Sequence, residues 1–327
     1  MHGNETNPGF PALQQVMTEC TRALIAGLTL VLCLALWRPN ATAAGDPVGS
    51  ILTDGLTRMF LLHLPAGGVT PRMPLVLAFH GAGGNGAGMR NLTGFDARAD
   101  RLGVIVAYPD GMRRRWNDGR RTIPAPVDDV AFVAQLIDTL AGRYGVDPAR
   151  VYATGISNGG LLAERLACDL APRIAAIAPV AANMPADIVP ACTPARPVSV
   201  LQINGTADPL VPYRGGAIAR PLGLGPGGTV LSTPDSVAFW VRRDACPGRP
   251  EPTAVPSRAV PDGTRVTRLV YSGCAAGTEV ALYTVDGGGH TWPNGRQFLP
   301  AARVGPVSRQ LDASSTILDF FMRHPAR

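Results

Sequence analysis

The chain has 327 residues, of which 17% are charged and 46% hydrophobic, and its formal net charge is +6. Gly and Pro make up about a fifth of it, below the roughly 25–30% of low-complexity chains, which excludes disorder, collagen and coiled coil. All 30 basic residues are Arg; outside a short run at 112–116 they are scattered, with no basic stripe interleaved with aromatics, so nucleic acid is not an expected partner.

Residues 23–37 (ALIAGLTLVLCLALW) follow Arg22 and precede the small residues of 41–44. This is the pattern of a secretory signal peptide, and it is short of the about 20 apolar residues that a permanent membrane span needs. Met17 would open a signal of ordinary length, so 1–16 reads as an over-extended start. Residues 1–43 are expected to leave on export to the periplasm or medium, and 44–327 to form a single domain. That leaves Cys168, Cys192, Cys246 and Cys274, an even set that implies disulfides in an exported protein. Four cysteines allow three pairings; proximity in sequence favours Cys168–Cys192 and Cys246–Cys274. No CxxC or CxxH spacing supports a metal site.

Residues 74–79 (PLVLAF) read as a buried strand running into His80-Gly-Ala-Gly-Gly84, and 104–108 as a strand closed by Pro109-Asp-Gly. A helical face occupies 127–144, with Asp128 and Asp129 in its first turn where the helix dipole favours carboxylates. A strand is expected at 150–154 and a helix at 159–170. Further strands fall at 174–180, 198–203 and 280–284, and an amphipathic helix at 311–323. The Gly/Pro-rich stretch 212–228 reads as a loop or lid. Alternating strands and helices predict an α/β fold, with a mostly parallel central sheet covered by helices on both faces.

The most informative motif is Gly155-Ile-Ser-Asn-Gly-Gly160 between an expected strand and helix, the setting of a nucleophile elbow. There the glycines two residues either side of Ser157 allow a sharp turn that presents its hydroxyl. A serine nucleophile needs a base, and the base an orienting acid, in the chain order Ser, Asp or Glu, His. His290, in the glycine-rich 286–295 loop after a strand, is the candidate base; His80 precedes the serine, and His63 and His324 lie in apolar or terminal segments. Asp208, after the 198–203 strand and a Gly turn, is the candidate acid, with Asp235 and Asp244 as competitors on a helical segment. The 80–86 loop falls where backbone amides meet a developing oxyanion. Ala82 and Asn158 are the expected donors. A phosphate-binding P-loop is excluded by the absence of Lys, and this constellation needs no metal or organic cofactor.

These pieces, with LVLAFHGAGGNG, YPDG, WNDG, VDDVAFV, GVDPARVYATGISNGGLLAERLAC, INGTADPLVPYRGG and GGGHTWPNG, resemble the secreted polyhydroxybutyrate depolymerase and feruloyl-esterase-like branch of the α/β-hydrolases over about 55–324. The resemblance implies an α/β-hydrolase catalytic domain that splits carboxylic esters through an acyl-enzyme on Ser157, Asp208 and His290. It also implies that Trp116, Tyr213 and Trp292 flank the substrate cleft. Feruloyl-type relatives often carry vicinal cysteines where Arg120 and Arg121 stand here. No polymer-binding module follows, so a short soluble ester or oligomer is at least as good an expectation as crystalline polymer. Two substrate readings stay open, a hydroxyalkanoate polyester and a feruloyl or acetyl ester of plant polysaccharide, together with a catalytically silent binding protein on the same fold.

Overall fold

In the computed structural model, which describes residues 47–123, 127–220, 227–258 and 261–326, the chain enters through a hairpin. Strands β1 (Val48–Thr53) and β2 (Leu56–His63) pair antiparallel around Asp54-Gly55. Both turn residues have positive φ, 50° and 75°, the backbone that an Asp-Gly hairpin turn requires. The expected signal segment lies outside the described residues.

From there strands and helices alternate. Strand β3 (Met73–Phe79) leads to helices α1 (Gly86–Thr93) and α2 (Asp96–Leu102), then β4 (Ile105–Pro109), α3 (Asp129–Tyr144), β5 (Val146–Ile156), α4 (Asn158–Asp169), β6 (Ala176–Val180) and β7 (Ser199–Gly205). A two-residue ribbon, β8 (Gly216–Ala217) with β9 (Thr229–Val230), precedes α5 (Thr233–Arg243). The last elements are β10 (Thr253–Ala254), β11 (Arg265–Tyr271), β12 (Val280–Asp286), a short α6 (Ala301–Val304) and α7 (Ala313–Arg323).

The main sheet has ten strands in the order β1-β2-β4-β3-β5-β6-β7-β12-β11-β10. Its six central strands run parallel, with antiparallel pairs at both edges. A parallel strand buried on both faces can be apolar throughout, and β3 is buried at every position. Its Leu75, Leu77 and Phe79 join the core formed by α3, α4 and α5, whereas Val76 and Ala78 join the core formed by α1, α2 and α7. The expected doubly covered sheet is therefore present.

Helix starts follow their capping residues. Asp128 accepts a hydrogen bond from Ala131 N (3.0 Å) and Asp312 one from Ser315 N (2.9 Å), so α3 and α7 begin just after them. Asp129 has another task. It is buried against Arg58, with Asp129 Oδ1 accepting from Arg58 Nη2 at 2.6 Å and Asp129 Oδ2 accepting from Asn117 N at 2.6 Å. Disulfides join Cys168 to Cys192 and Cys246 to Cys274, the pairing that sequence proximity favours. The first ties the end of α4 to the segment before β7. No described helix is long and apolar enough to cross a membrane.

Candidate active site

Because β3, β5, β7 and β12 run parallel, the segments that follow them emerge at one edge of the sheet, where ligands of such sheets collect. Those segments carry the 80–84 loop, Ser157, Asp208 and His290. Ser157 has φ 56° and ψ −125°, a backbone that L residues adopt only under constraint. The constraint is packing. A Cβ on Gly155 would stand 2.5 Å from Gly159 C and 2.7 Å from Phe79 O, and one on Gly159 would overlap Phe79 O. Neither position tolerates a larger residue without opening the strand-to-helix turn.

His290 and Asp208 are brought together: their side chains meet at 2.8 Å between Nδ1 and Oδ2, and both are almost fully buried. Asp208 Oδ1 accepts further hydrogen bonds from Leu210 N (2.7 Å) and Val211 N (2.9 Å), so the carboxylate is fixed and its imidazole-facing oxygen is available to an Nδ1–H. Nε2 of the same ring is then left with its lone pair. Ser157 and His290 line one cavity of about 650 Å³ with Ala82 and Asn158. Among the described residues no acceptor meets the backbone N–H of Ala82 or Asn158. The competing acids are elsewhere: Asp235 caps α5 with Ser232, and Asp244 is buried at that helix's other end.

The 80–84 loop is held by a histidine that takes no part in that pair. His80 Nε2 accepts from Gly111 N (3.0 Å), so its Nδ1 carries the proton and donates to Gly81 O (2.8 Å). Burial lowers its pKa, which keeps the ring neutral in this role. Asn158 is clamped as firmly. Its side chain accepts from Trp116 N (2.8 Å) and donates to Trp116 O (2.9 Å) and Asp118 Oδ2 (2.7 Å). Asp118 in turn holds Arg120 through Nε and Nη2, and Arg120 Nη1 donates to Gly227 O. This chain of buried groups runs from the helix after Ser157 to the 208–228 segment. Sequence reading missed it, since Asp118 and Asn158 meet only through the fold; the WNDGR string was the visible trace.

The three aromatics expected to flank the cleft do not line the cavity. Trp116 is fully buried beneath the 80–84 loop, donating from Nε1 to His80 O (2.9 Å) and packing edge-on against Phe79. Trp292 is fully buried against Phe95, with Nε1 donating to Ser314 Oγ (3.0 Å). Tyr213 is half-buried and shares a 2.9 Å hydrogen bond with Thr284 Oγ1. Each ring serves packing and satisfies its polar atom within the protein, the usual fate of a buried Trp or Tyr. The apolar wall is made instead by Leu161, Leu210, Val211, Ile218, Phe298 and Leu299. Two of these, Phe298 and Leu299, are among the exposed large hydrophobics. The 212–228 stretch borders the cavity through Ile218, Ala219 and Gly227, though 221–226 lie outside the described residues.

Comparison with known proteins places the chain among esterases. A family model described as "Esterase PHB depolymerase" matches residues 58–192. A putative esterase, NocK, of Nocardia uniformis subsp. tsuyamanensis is 36% identical over 295 residues, covering 87% of this chain and 85% of that protein. Feruloyl esterase B of Piromyces equi is 30% identical over 250 residues, covering 73% of this chain but 44% of that longer protein. The solved structure of an acetyl xylan esterase from Aspergillus awamori superposes with a TM-score of 0.52 at 12% identity, over 84% of this chain and 99% of that one. At that identity the likeness is one of fold.

Proposed function

Because the chain belongs to the polyhydroxybutyrate depolymerase-type esterase family of α/β-hydrolases and is a carboxylic ester hydrolase, we propose that Ser157, His290 and Asp208 are its catalytic triad and that it is exported to act on hydroxyalkanoate ester oligomers. The observation that carries this reading is the 2.8 Å His290–Asp208 hydrogen bond at a cavity shared with Ser157, whose positive φ is that of a nucleophile elbow.

In this mechanism Ser157 Oγ attacks the ester carbonyl carbon while His290 Nε2 takes its proton. The carbonyl oxygen becomes an oxyanion received by the Ala82 and Asn158 N–H groups, each such donor contributing roughly 3 kcal/mol to barrier lowering. Collapse expels the alcohol with the proton from His290 and leaves an acyl-Ser157. A water then gives its proton to His290 and attacks the acyl carbon. Ser157 departs with that proton and the carboxylic acid is released. Asp208 keeps the imidazole in the Nδ1–H tautomer and stabilises the imidazolium formed in each half-reaction.

A cavity of about 650 Å³ with an apolar wall exceeds what an acetyl group fills, which favours a branched hydroxyacyl or aromatic acyl chain. A feruloyl ester is the second reading, favoured by the similarity to feruloyl esterase B. The apolar run at 23–37 and the two disulfides support export and a catalytic domain beginning near residue 44. The test is turnover of p-nitrophenyl butyrate, hydroxybutyrate trimer and methyl ferulate by the mature protein and by Ser157→Ala. The variant is expected to lose about 10⁴- to 10⁶-fold in kcat. Undiminished turnover in Ser157→Ala refutes the triad, and an inert wild type supports the silent binding protein.

A further inference from the structure

The arginine run at 113–115 has no place in the triad, yet one of its members reaches the cavity. Among the described lining residues the charged ones are Arg114 and Arg120, and none is Asp or Glu. The two guanidinium groups differ. Arg120 is buried and compensated by Asp118 at 2.7 Å. Arg114 is exposed and pairs with no carboxylate among the described residues; its Nε donates to Gly84 O at 3.2 Å.

The backbone that carries Arg114 is fixed at some cost. Arg113 and Arg114 both have positive φ, 51° and 60°, two consecutive L residues in a region they rarely adopt. Arg114 N donates to Gly111 O (3.0 Å), Gly111 N donates to His80 Nε2 (3.0 Å), and Gly83 N donates to Arg114 O (2.7 Å). The run is thus laced to the loop that carries Ala82. Strain held by such bonds at a cavity wall is a mark of function.

Arg114 also has near neighbours in the cavity lining, through Gly84. Gly84 leads into α1, whose Met89 and Leu92 line the cavity with Phe298 and Leu299 from the loop that follows His290. Gly295 of that loop packs against Leu92 O, so the two segments form one wall. In a hydroxy-acid oligomer the free acid ends the alcohol part of the terminal ester, the part that leaves, so a guanidinium at the cavity rim would meet it there.

We propose that Arg114 is a specificity-determining residue that binds a carboxylate on the alcohol part of the ester. The preferred bond is then the terminal ester of a hydroxy-acid oligomer whose leaving unit ends in a free acid. A guanidinium presents a planar pair of donors that a carboxylate accepts in bidentate fashion. At an exposed rim such a pair is worth about fivefold in binding. The proposal rests on the Ser157–Asp208–His290 reading and on hydroxy-acid ester oligomers as the substrate of that site.

The test compares 4-carboxyphenyl butyrate with 4-carbamoylphenyl butyrate, a neutral ester of similar shape, in wild type, Arg114→Gln and Arg113→Gln. A second pair, p-nitrophenyl hydrogen glutarate and p-nitrophenyl valerate, places the charge on the acyl side. The ratio of kcat/KM for the carboxy over the carbamoyl ester should fall about fivefold in Arg114→Gln, through KM, and shrink in wild type as salt is raised. Arg113→Gln should keep the wild-type ratio, and the acyl-side pair should show no dependence on Arg114. An unchanged ratio in Arg114→Gln, an equal loss in Arg113→Gln, or an effect confined to the acyl-side pair overturns the proposal. Ser157→Ala on the carbamoyl ester separates the two failures: persistent turnover there refutes the triad, whereas its loss with an unchanged Arg114 ratio refutes the subsite alone.

Discussion

Replacing Glu164 with Gln should flatten the dependence of stability on pH. Glu164 lies on α4, seven residues after Ser157, and is fully buried. Its Oε2 accepts from Trp240 Nε1 at 2.7 Å, while Oε1 is buried without a partner. Burial raises the carboxyl pKa from 4.5 to about 8, and the Trp240 hydrogen bond offsets part of that rise. The folded state therefore holds a proton that the unfolded chain releases near pH 4.5. The stabilisation linked to that proton is complete below the unfolded pKa and is lost as pH rises through the folded one. At about 1.4 kcal/mol per pH unit the loss amounts to at most about 5 kcal/mol between pH 4.5 and 8. Gln keeps the shape and can accept from Trp240 but has no proton to lose. Its buried NH₂ adds a penalty of about 1–3 kcal/mol that does not vary with pH. Urea unfolding of both proteins, followed by tryptophan fluorescence from pH 5 to 9, measures the difference. The variant should gain on wild type at each step of pH up to about 8 and run parallel to it above. Parallel curves across the whole range would refute the reasoning.

The buried chain of groups behind Asn158 gives a second expectation. Asp118→Ala leaves Arg120 as an unpaired buried charge, at a cost of about 3–5 kcal/mol in stability by denaturant midpoint. It should also lower kcat more than it raises KM, because the Asn158 clamp is loosened where the oxyanion forms. Removing the Cys168–Cys192 bridge by a double Ala substitution should cost about 3 kcal/mol for the 24-residue separation it closes, and reduction of the native protein, which also opens Cys246–Cys274, should produce about twice that shift in midpoint. Trp292→Phe, which loses the hydrogen bond to Ser314, should lower stability by about 1 kcal/mol. It should leave KM for butyrate esters within twofold, since the ring does not line the cavity.

The parallel core was legible because its strands are largely short apolar runs, several of them closed by Gly, Pro or Asp; the run at 74–79 sits within β3 and the run at 198–203 overlaps β7 from Ser199 on. The edges were not. Strand β11 (RVTRLVY) carries two exposed arginines, Arg265 and Arg268, on opposite faces, so its apolar alternation is broken. The β1–β2 hairpin alternates around Asp54-Gly55, a turn signal that was present but unread. At the site, Ser157, Asp208 and His290 could be named because each follows a strand end, where local sequence and position coincide. The Asp118–Arg120 chain and the Leu161–Phe298 wall depend on contacts between distant segments, which local pattern does not encode. The misplaced aromatics make the same point. Trp116 and Trp292 adjoin the catalytic loops in sequence, yet their size sends them into the core and their indole N–H groups find partners there.

The central claim, an acyl-enzyme on Ser157, is tested most directly by intact-mass and peptide analysis of enzyme acid-quenched during turnover of p-nitrophenyl butyrate. Butyryl adduct on the peptide containing Ser157, absent from Ser157→Ala and strongly diminished in His290→Ala, which lacks the base for acylation, is the predicted result. Butyryl on any other residue, or full turnover by Ser157→Ala with no adduct, would contradict it.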